Sequence, residues 1–156
     1  MENPGGYTVA DIYRDLRRQV LGLAPQSATA PPTTLAVLME TGYPEAVATL
    51  VAVSDGSVSL YFSNGGGIIG AGEHAPVRSV AAKFLAAAAV YVPQASLAQQ
   101  FPLPSRGRVR FYLVTSQGTY TAEAAEDDLG YERHPFAPLF HQGHELIAAV
   151  REHTPQ

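Results

Sequence analysis

The chain contains 156 residues, carries a formal net charge of −4 and lacks cysteine. Without cysteine it has no disulfide, thiolate metal site or cysteine nucleophile. Its acidic balance disfavours binding to nucleic acid, whose phosphate backbone is also negative. A chain of this length suits one domain with a sizeable core.

Apolar periodicity predicts one α+β domain, 1–156, with the element order α-β-β-β-α-β-β-α. We expect about five antiparallel strands with helices on the sheet faces, because tight hairpins join most neighbours. The predicted segments are a helix at 8–23, a connector at 24–34, three strands within 35–63, a glycine-rich loop at 64–74, a buried helix at 75–92, a loop at 93–107, a hairpin at 108–125 and a helix at 138–153.

The first predicted helix is amphipathic. Thr8 is a candidate N-cap, with Asp11 three residues later as a weaker form of the capping box. Helical spacing puts apolar residues on one side and charged residues, Arg17 among them, on the other. The apolar stripe consists of Val9, Ile12, Tyr13, Leu16, Val20 and Leu23. We therefore expect this stripe to lie against an apolar surface.

The dipeptide Asp55-Gly56 joins the second and third predicted strands. Such a pair is typical of a type I′ hairpin turn, which needs a positive φ at both central residues. The sequence thus predicts a two-residue turn at this position.

The glycine-rich loop fits G-x-G-x-x-G over residues 65–70, between a predicted strand and a predicted helix. The rest of a nucleotide fingerprint is missing, since no acid occurs between Glu73 and Glu123 and Ala71, not lysine, follows the run. Two interpretations stay open: the glycines allow a sharp bend and close packing, or their N–H groups bind a small anionic or polar ligand. The ligand hypothesis names Gly65, Gly66, Gly67, Gly70, Gly72, His74 and Arg78.

The helix at 75–92 is apolar on nearly every side, which predicts burial on every side. Its second face is covered either by another subunit or by the two terminal helices of the same chain. For a homodimer, the expected interface residues are Val77, Val80, Phe84, Leu85 and Tyr91. The helix carries Arg78 and Lys83, and we expect it to fall short of a membrane span and to make no membrane contact.

His141 and His144 stand three residues apart on the last predicted helix. Two imidazoles at this spacing can share a metal ion, with His134 or the acids at 126–128 as the nearest further ligands in sequence. The motif is not H-E-x-x-H, and solvated histidines are the alternative. The sequence therefore predicts no metal site.

Arg106, Arg108 and Arg110 alternate along a predicted strand and project from one face. Such a row binds phosphate or the carboxylates of a partner, or it faces solvent and protects a sheet edge from aggregation. Both interpretations stay open.

Nucleophilic catalysis has no support in the sequence. No G-x-S-x-G motif occurs, and the neighbouring residues Glu73 and His74 would point apart on a helix. We predict no catalytic residue and no cofactor.

Three segments resemble an uncharacterised family of small bacterial proteins. The first is the core of 55–84, Ser-Leu-Tyr-Phe-Ser-Asn-Gly-Gly-Gly-Ile-Ile-Gly-Ala-Gly-Glu-His-Ala-Pro-Val-Arg. The others are Gly107-Arg-Val-Arg-Phe-Tyr-Leu and His134-Pro-Phe-Ala-Pro-Leu-Phe. This resemblance implies no activity and no catalytic residues.

The predicted element order is similar to that of profilin-like and roadblock-like domains. Those domains are mostly non-catalytic scaffolds and regulators, often of small GTPases, and the roadblock type commonly dimerises. The chain departs from the roadblock order by having three strands, not two, before its central helix. The resemblance implies a regulatory role by analogy.

The function predicted from the sequence is a non-enzymatic interaction or regulatory module, homodimeric and with a possible further protein partner. The alternative is a binder of a small anionic or polar ligand, or an enzyme, that uses the loop 65–72. The N-terminus has neither a basic region nor an apolar core, so a cytoplasmic location is the expectation.

Overall fold

The computed structural model describes residues 9–23 and 33–153. Within these residues the chain forms a seven-stranded antiparallel sheet and four α-helices. The helices are α1 (Asp11–Leu21), α2 (Ala75–Tyr91), α3 (Glu126–Gly130) and α4 (Ala137–His153). The strands are β1 (Thr34–Gly42), β2 (Val47–Val53), β3 (Val58–Phe62), β4 (Gly67–Ile69), β5 (Ser96–Leu97), β6 (Arg108–Thr115) and β7 (Gly118–Ala125). Their order across the sheet is β4-β3-β2-β1-β6-β7-β5.

The α+β class with an antiparallel sheet is confirmed, but the strand number and the element order were wrong. The sheet has seven strands across the described residues, not about five. β4 lies inside the predicted glycine-rich loop and β5 inside the predicted loop at 93–107. They contain three and two residues, which is too short for an alternating pattern to be visible in the sequence. α3 likewise begins at the acids that follow β7.

The turn between β2 and β3 differs from the predicted two-residue type I′ turn. The Gly56 amide donates to the Val53 carbonyl at 2.9 Å, and the Val53 amide donates to the Ser57 carbonyl at 2.9 Å. Gly56 has a φ of +94°, whereas the φ of Asp55 is not positive. This is a type I turn followed by a left-handed glycine, a common three-residue hairpin connection.

Each face of the sheet carries its own apolar layer. α2 and α4 cover the first face, over alternate residues of the central strands such as Met39 and Phe111. α1 and the segment 98–103 cover the second face, over the intervening residues such as Leu38 and Tyr112. Because neighbouring strand residues point to opposite faces, central strands buried on both sides are apolar almost throughout.

The predicted apolar stripe of α1 packs on the second face except at Ile12. Tyr13 is buried there, and the partly buried Val9, Leu16, Val20 and Leu23 pack against the same core. The buried residues of α1 are Tyr13, Arg17 and Leu21, whereas Ile12 is 56% exposed. The expectation that Arg17 lies on the polar side was therefore wrong. The helix begins after Ala10, whose amide donates to the Ser63 carbonyl at 2.7 Å. The predicted N-cap, Thr8, lies outside the described residues.

The end of the glycine-rich segment packs directly on the β2–β3 hairpin. A Cβ added to Gly72 would lie 2.0 Å from the Gly56 carbonyl oxygen and 3.2 Å from the Val58 nitrogen. Both contacts are with backbone, so side-chain movement cannot relieve them. Gly66, in the same segment, has a nearest neighbour at 4.0 Å.

We predict that Gly72→Ala lowers the free energy of unfolding by about 3 kcal/mol, because a methyl group forced onto backbone displaces the start of α2. Urea unfolding followed by circular dichroism measures the loss. Gly66→Ala is the matched control and should change stability by less than about 0.5 kcal/mol. Equal losses in the two variants would contradict this packing role.

Candidate functional site

A row of polar side chains crosses the second face of the sheet in register. Thr49 of β2 and Arg110 of β6 are the cross-strand partners of Glu40 in β1. Tyr61 of β3 is paired with Thr49, and Glu123 of β7 is paired with Arg110. Residues in register across a sheet share one face, so five strands place these side chains in a line beneath α1 and beyond its edge.

The centre of this row is a buried ion pair between Arg17 and Glu40. Arg17 Nε donates to Glu40 Oε2 at 2.7 Å, and Arg17 Nη2 donates to Glu40 Oε1 at 2.9 Å. The two side chains are 2% and 0% exposed. The Thr49 hydroxyl donates to Glu40 Oε2 at 2.9 Å, and Arg17 Nη2 also donates to the Phe101 carbonyl at 2.9 Å. A bidentate pair with further hydrogen bonds satisfies charges that would otherwise be costly to bury.

Aromatic side chains enclose the pair. The Tyr13 hydroxyl is 2.7 Å from Thr49 Oγ1, and the Tyr13 and Tyr61 rings meet edge to face at 5.8 Å. The Arg17 guanidinium lies 5.4 Å from the centre of the Tyr112 ring, whose hydroxyl donates to the Pro102 carbonyl at 2.6 Å. These contacts join α1, the sheet and the segment 98–103 through one set of hydrogen bonds.

Burial raises the pKa of Tyr13, Tyr61 and Tyr112 well above the ordinary tyrosine value, and the Glu40 carboxylate raises the pKa further. Burial alone would lower the pKa of Arg17, but the Glu40 carboxylate outweighs this and raises the Arg17 pKa. The tyrosines therefore stay neutral and Arg17 stays charged at neutral pH.

The arginine row predicted on β6 is paired within the sheet. Arg108 and Arg110 both form ion pairs with Glu123, and Arg110 Nη1 donates to Thr121 Oγ1 at 3.1 Å. Arg106 precedes the strand and is exposed. Two of the three cations thus already have a carboxylate partner, which weakens the case for a phosphate site here.

The glycines of the predicted ligand loop serve different elements. Gly65 and Gly66 form the turn after β3, and Gly67 begins β4. Gly70 is the N-cap of the 3₁₀-helix Ala71–Glu73, and Gly72 lies within that helix. A cavity of about 80 Å³ beside Gly65, Gly66 and Gly67 is lined mainly by apolar side chains. It is smaller than the range of about 300–1,000 Å³ that is usual for ligand pockets.

The structure separates His74 and Arg78, the other residues of the ligand hypothesis. Arg78 Nη1 donates to the Gly72 carbonyl at 2.7 Å, so this guanidinium supports the loop. The His74 ring lies 6.4 Å from the ring of His153 at the end of α4, and His74 Nε2 is 3.8 Å from Glu73 Oε1. The glycines, His74 and Arg78 do not converge on one ligand-sized cavity among those found in the described part of the chain.

The histidines of α4 differ in exposure. His141 is exposed, whereas His144 is half-buried with its ring 4.5 Å from that of Phe140 and its Nε2 enclosed without a hydrogen bond. Burial lowers the pKa of His144, and the positive charges of His141 and Arg151 lower that pKa further. Across 9–23 and 33–153, no group of three or more His, Asp or Glu residues could hold a metal ion.

α2 presents a buried side and an exposed side, unlike the helix predicted to be enclosed all round. Val77 and Phe84 are fully buried in the core of the single chain. Val80, Leu85 and Tyr91 are partly buried against the same core. The five residues named for a dimer interface therefore lie toward the sheet and α4, and the opposite side remains available to a partner.

The exposed side of α2 is mostly apolar and carries two charges. Its residues are Ala75, Pro76, Arg78, Ser79, Ala82, Lys83, Ala86, Ala89 and Val90. Val90 is 69% exposed, and the charges are Lys83 and Arg78, whose Nη1 donates to the Gly72 carbonyl. Monomeric proteins rarely leave a long apolar helix face open to water, so this outward face is the strongest candidate contact surface.

The segment Ala75–Gln94 is long and apolar enough to cross a membrane by length and composition, with a mean hydropathy of 1.3 over its most apolar window. The expectation that it falls short of a span was therefore wrong on these two measures. A mostly buried core helix of a soluble protein passes the same test, whereas 22% of this window is buried. The C-terminal end of α2 lies beside the start of α4, with the Tyr91 ring 4.8 Å from that of Phe136.

Comparisons with family models, with curated proteins and with solved structures find no match to this chain. The resemblance to a bacterial family and the similarity to roadblock-like domains stay predictions.

Sequence reasoning missed the buried ion pair, although two signals were present. Tyr13, Arg17 and Leu21 recur at i, i+4 and i+8, which is the spacing of one helix side. Glu40 ends the strand predicted from Leu35, in a run that is otherwise apolar. A charged residue at a core position of each element indicates a buried pair.

We predict that Glu40→Gln lowers the free energy of unfolding by about 3–5 kcal/mol, because it leaves the Arg17 charge buried without a counter-charge. Urea unfolding at neutral pH measures the change. Glu123→Gln, which alters the two partly exposed ion pairs with Arg108 and Arg110 at the end of the row, should cost no more than about 1 kcal/mol. Similar losses in the two variants would show that the buried ion pair contributes no more to the free energy of unfolding than the partly exposed ones.

Alkaline pH should unfold the protein as its buried tyrosines ionise. Their pKa is raised in the folded state, so the unfolded chain loses these protons first and stability falls as the pH rises above the ordinary value of 10.0. We expect three of the eight tyrosines to ionise together with unfolding, as measured by phenolate absorbance and circular dichroism.

Tyr61→Phe provides the control for this titration. The Tyr61 hydroxyl is enclosed without a hydrogen bond, so its removal should preserve the fold at neutral pH. The variant should release one phenolate fewer in the cooperative step. An unchanged amplitude, or noncooperative ionisation of all tyrosines near the ordinary value, would contradict the prediction.

Proposed function

We propose that this protein is a non-enzymatic interaction module that forms a homodimer through the outward face of α2. The observation that carries the proposal is the exposure of this face: only 22% of the most apolar window of Ala75–Gln94 is buried within the chain. Covering such a surface removes apolar area from water, which is the main favourable term in protein association.

The face is suited to a second copy of itself. Twofold symmetry brings the same patch together from both subunits, so the patch must be self-complementary. Alanines at 82, 86 and 89 allow two helix axes to approach closely, and α2 contains no acidic residue that would be buried unpaired. A twofold symmetry axis passing near Ala86 would place Val90 of one copy near Ala82 of the other. The two Lys83 ammonium groups would then lie at the solvent-exposed rim of the interface.

The size of the face sets the expected strength of the dimer. A helix of 17 residues is about 25 Å long, so the helix pair alone buries less than the standard interface of about 800 Å² per partner. We expect a dimer with a micromolar Kd, strengthened where side chains beside α2 join the contact.

Although the predicted element order was wrong, the α+β class with an antiparallel sheet remains similar to that of roadblock-like and profilin-like domains, and by this analogy we propose a regulatory or scaffolding role. The analogy applies to the antiparallel sheet with helices on its faces, and it names no partner. A dimer formed by α2 would leave the second face of the sheet, with α1, available to other molecules.

We predict that Ala86→Glu weakens dimerisation at least about 100-fold, because it places two carboxylates side by side at a desolvated contact. Sedimentation velocity over a micromolar dilution series measures the change. Ala148→Glu, on the exposed side of α4, is the matched control and should leave the Kd unchanged. A wild-type protein that stays monomeric throughout the series, or equal effects of the two variants, would refute the proposed dimer.

A further inference from the structure

A cavity of about 580 Å³ lies between the end of α1 and the segment 98–103, on the second face of the sheet. Its volume falls within the range of about 300–1,000 Å³ that is typical of small-molecule sites. The described residues that line it are Arg17, Arg18, Leu21, Gly22, Gln100, Phe101 and Pro102. It is separate from the outward face of α2, which lies on the other side of the sheet.

The walls of this cavity combine apolar surface with a fixed hydrogen-bond donor. Leu21, Phe101 and Pro102 supply the apolar part. Arg17 uses Nε and Nη2 for Glu40 and for the Phe101 carbonyl, and its Nη1 makes no hydrogen bond to a described residue. Arg17 lines the cavity, and Nη1 is the guanidinium nitrogen that these hydrogen bonds leave for a ligand.

The cavity also has an uncompensated positive charge. Glu40 neutralises Arg17, but Arg18, which also lines the cavity, makes no ion pair within the described residues. Arg17 therefore supplies rigid N–H donors for a ligand's acceptor atoms, and Arg18 supplies one net positive charge. Donors already held in place lose little freedom on binding, which favours affinity.

We infer that this cavity binds a small organic anion, namely a carboxylate carried on an aryl or short acyl body. The carboxylate would accept hydrogen bonds from Arg17 Nη1 and pair with Arg18. The apolar body would lie against Leu21, Phe101 and Pro102. Charge complementarity favours an anion over a neutral ligand, and the apolar walls favour an organic anion over inorganic phosphate.

The test uses 4-phenylbutyrate as the probe and its neutral analogue 4-phenyl-1-butanol, each titrated into the full chain and followed by ¹H–¹⁵N NMR. For a probe of this size we expect a Kd on the order of 0.1–1 mM. The largest amide shifts should fall at residues 17–22 and 100–103. The alcohol should bind the wild-type protein about fivefold more weakly than the carboxylate does. The Arg18→Gln variant should bind the carboxylate about fivefold more weakly than the wild type does.

Two neighbouring glutamines provide a matched pair of variants. Gln100 lines the cavity, so Gln100→Trp should fill it and abolish binding. Gln99 is exposed and outside the lining, so Gln99→Trp should bind the probe as the wild type does. Both changes are at exposed loop positions, and circular dichroism checks that each variant folds.

Three outcomes would overturn the inference. The first is the absence of binding at millimolar probe, and the second is a set of amide shifts centred on α2 instead of the cavity. The third is equal binding by Gln100→Trp and the wild type. If the alcohol binds as tightly as the carboxylate, the anion preference is refuted as well.

Discussion

Arg17 and Glu40 place two opposite charges between α1 and the centre of the sheet, where both side chains are almost wholly buried. Neither charge is tolerable there alone, so each fixes the position of the other. The pair fixes the rotation of α1 about its axis, because only the side that carries Tyr13, Arg17 and Leu21 can face β1. It also fixes the segment 98–103, whose Phe101 carbonyl accepts from the same guanidinium. One ion pair therefore specifies how three separate stretches of chain meet.

The two faces of the sheet are built on different principles. On the first face, α2 and α4 pack on apolar side chains such as Met39 and Leu50, and shape alone determines the fit. On the second face, Thr49, Glu40 and Arg110 form a polar row that requires a matched donor from α1 and matched acceptors from β7. A polar row of this kind specifies one arrangement more strictly than apolar packing, because a misplaced partner leaves a buried charge unpaired. The second face is thus the more specific layer, and the first is the more adaptable.

The sequence predicts the elements in which a hydrophobic pattern repeats several times. It does not predict features that depend on a single residue or on a very short segment. The long strands, α2, α4 and the hairpin at 108–125 repeat their periodicity several times, and their positions agree with the structure to within a few residues. β4 has three residues and relies on its pairing with β3, which is not visible locally. Arg17 was misassigned to the polar side of α1 because it counts as polar in any amphipathic pattern, and its counter-charge Glu40 lies 23 residues away. Long-range pairing of charges is information that helical spacing does not contain.

The two proposed contact sites lie on opposite sides of one sheet, and the strands between them argue against coupling. β1 contributes Met39 to the layer under α2 and Glu40 to the pair beside the cavity, so adjacent residues serve the two sites. Coupling would require an element with two discrete arrangements that both sites bias. β1 is hydrogen-bonded on both edges, to β2 and to β6, and keeps one continuous register with both from Ala36 to Thr41. A strand so restrained has one arrangement. We therefore expect the proposed anion binding and the proposed dimerisation to be independent, so that a ligand in the cavity would leave the α2 face unchanged.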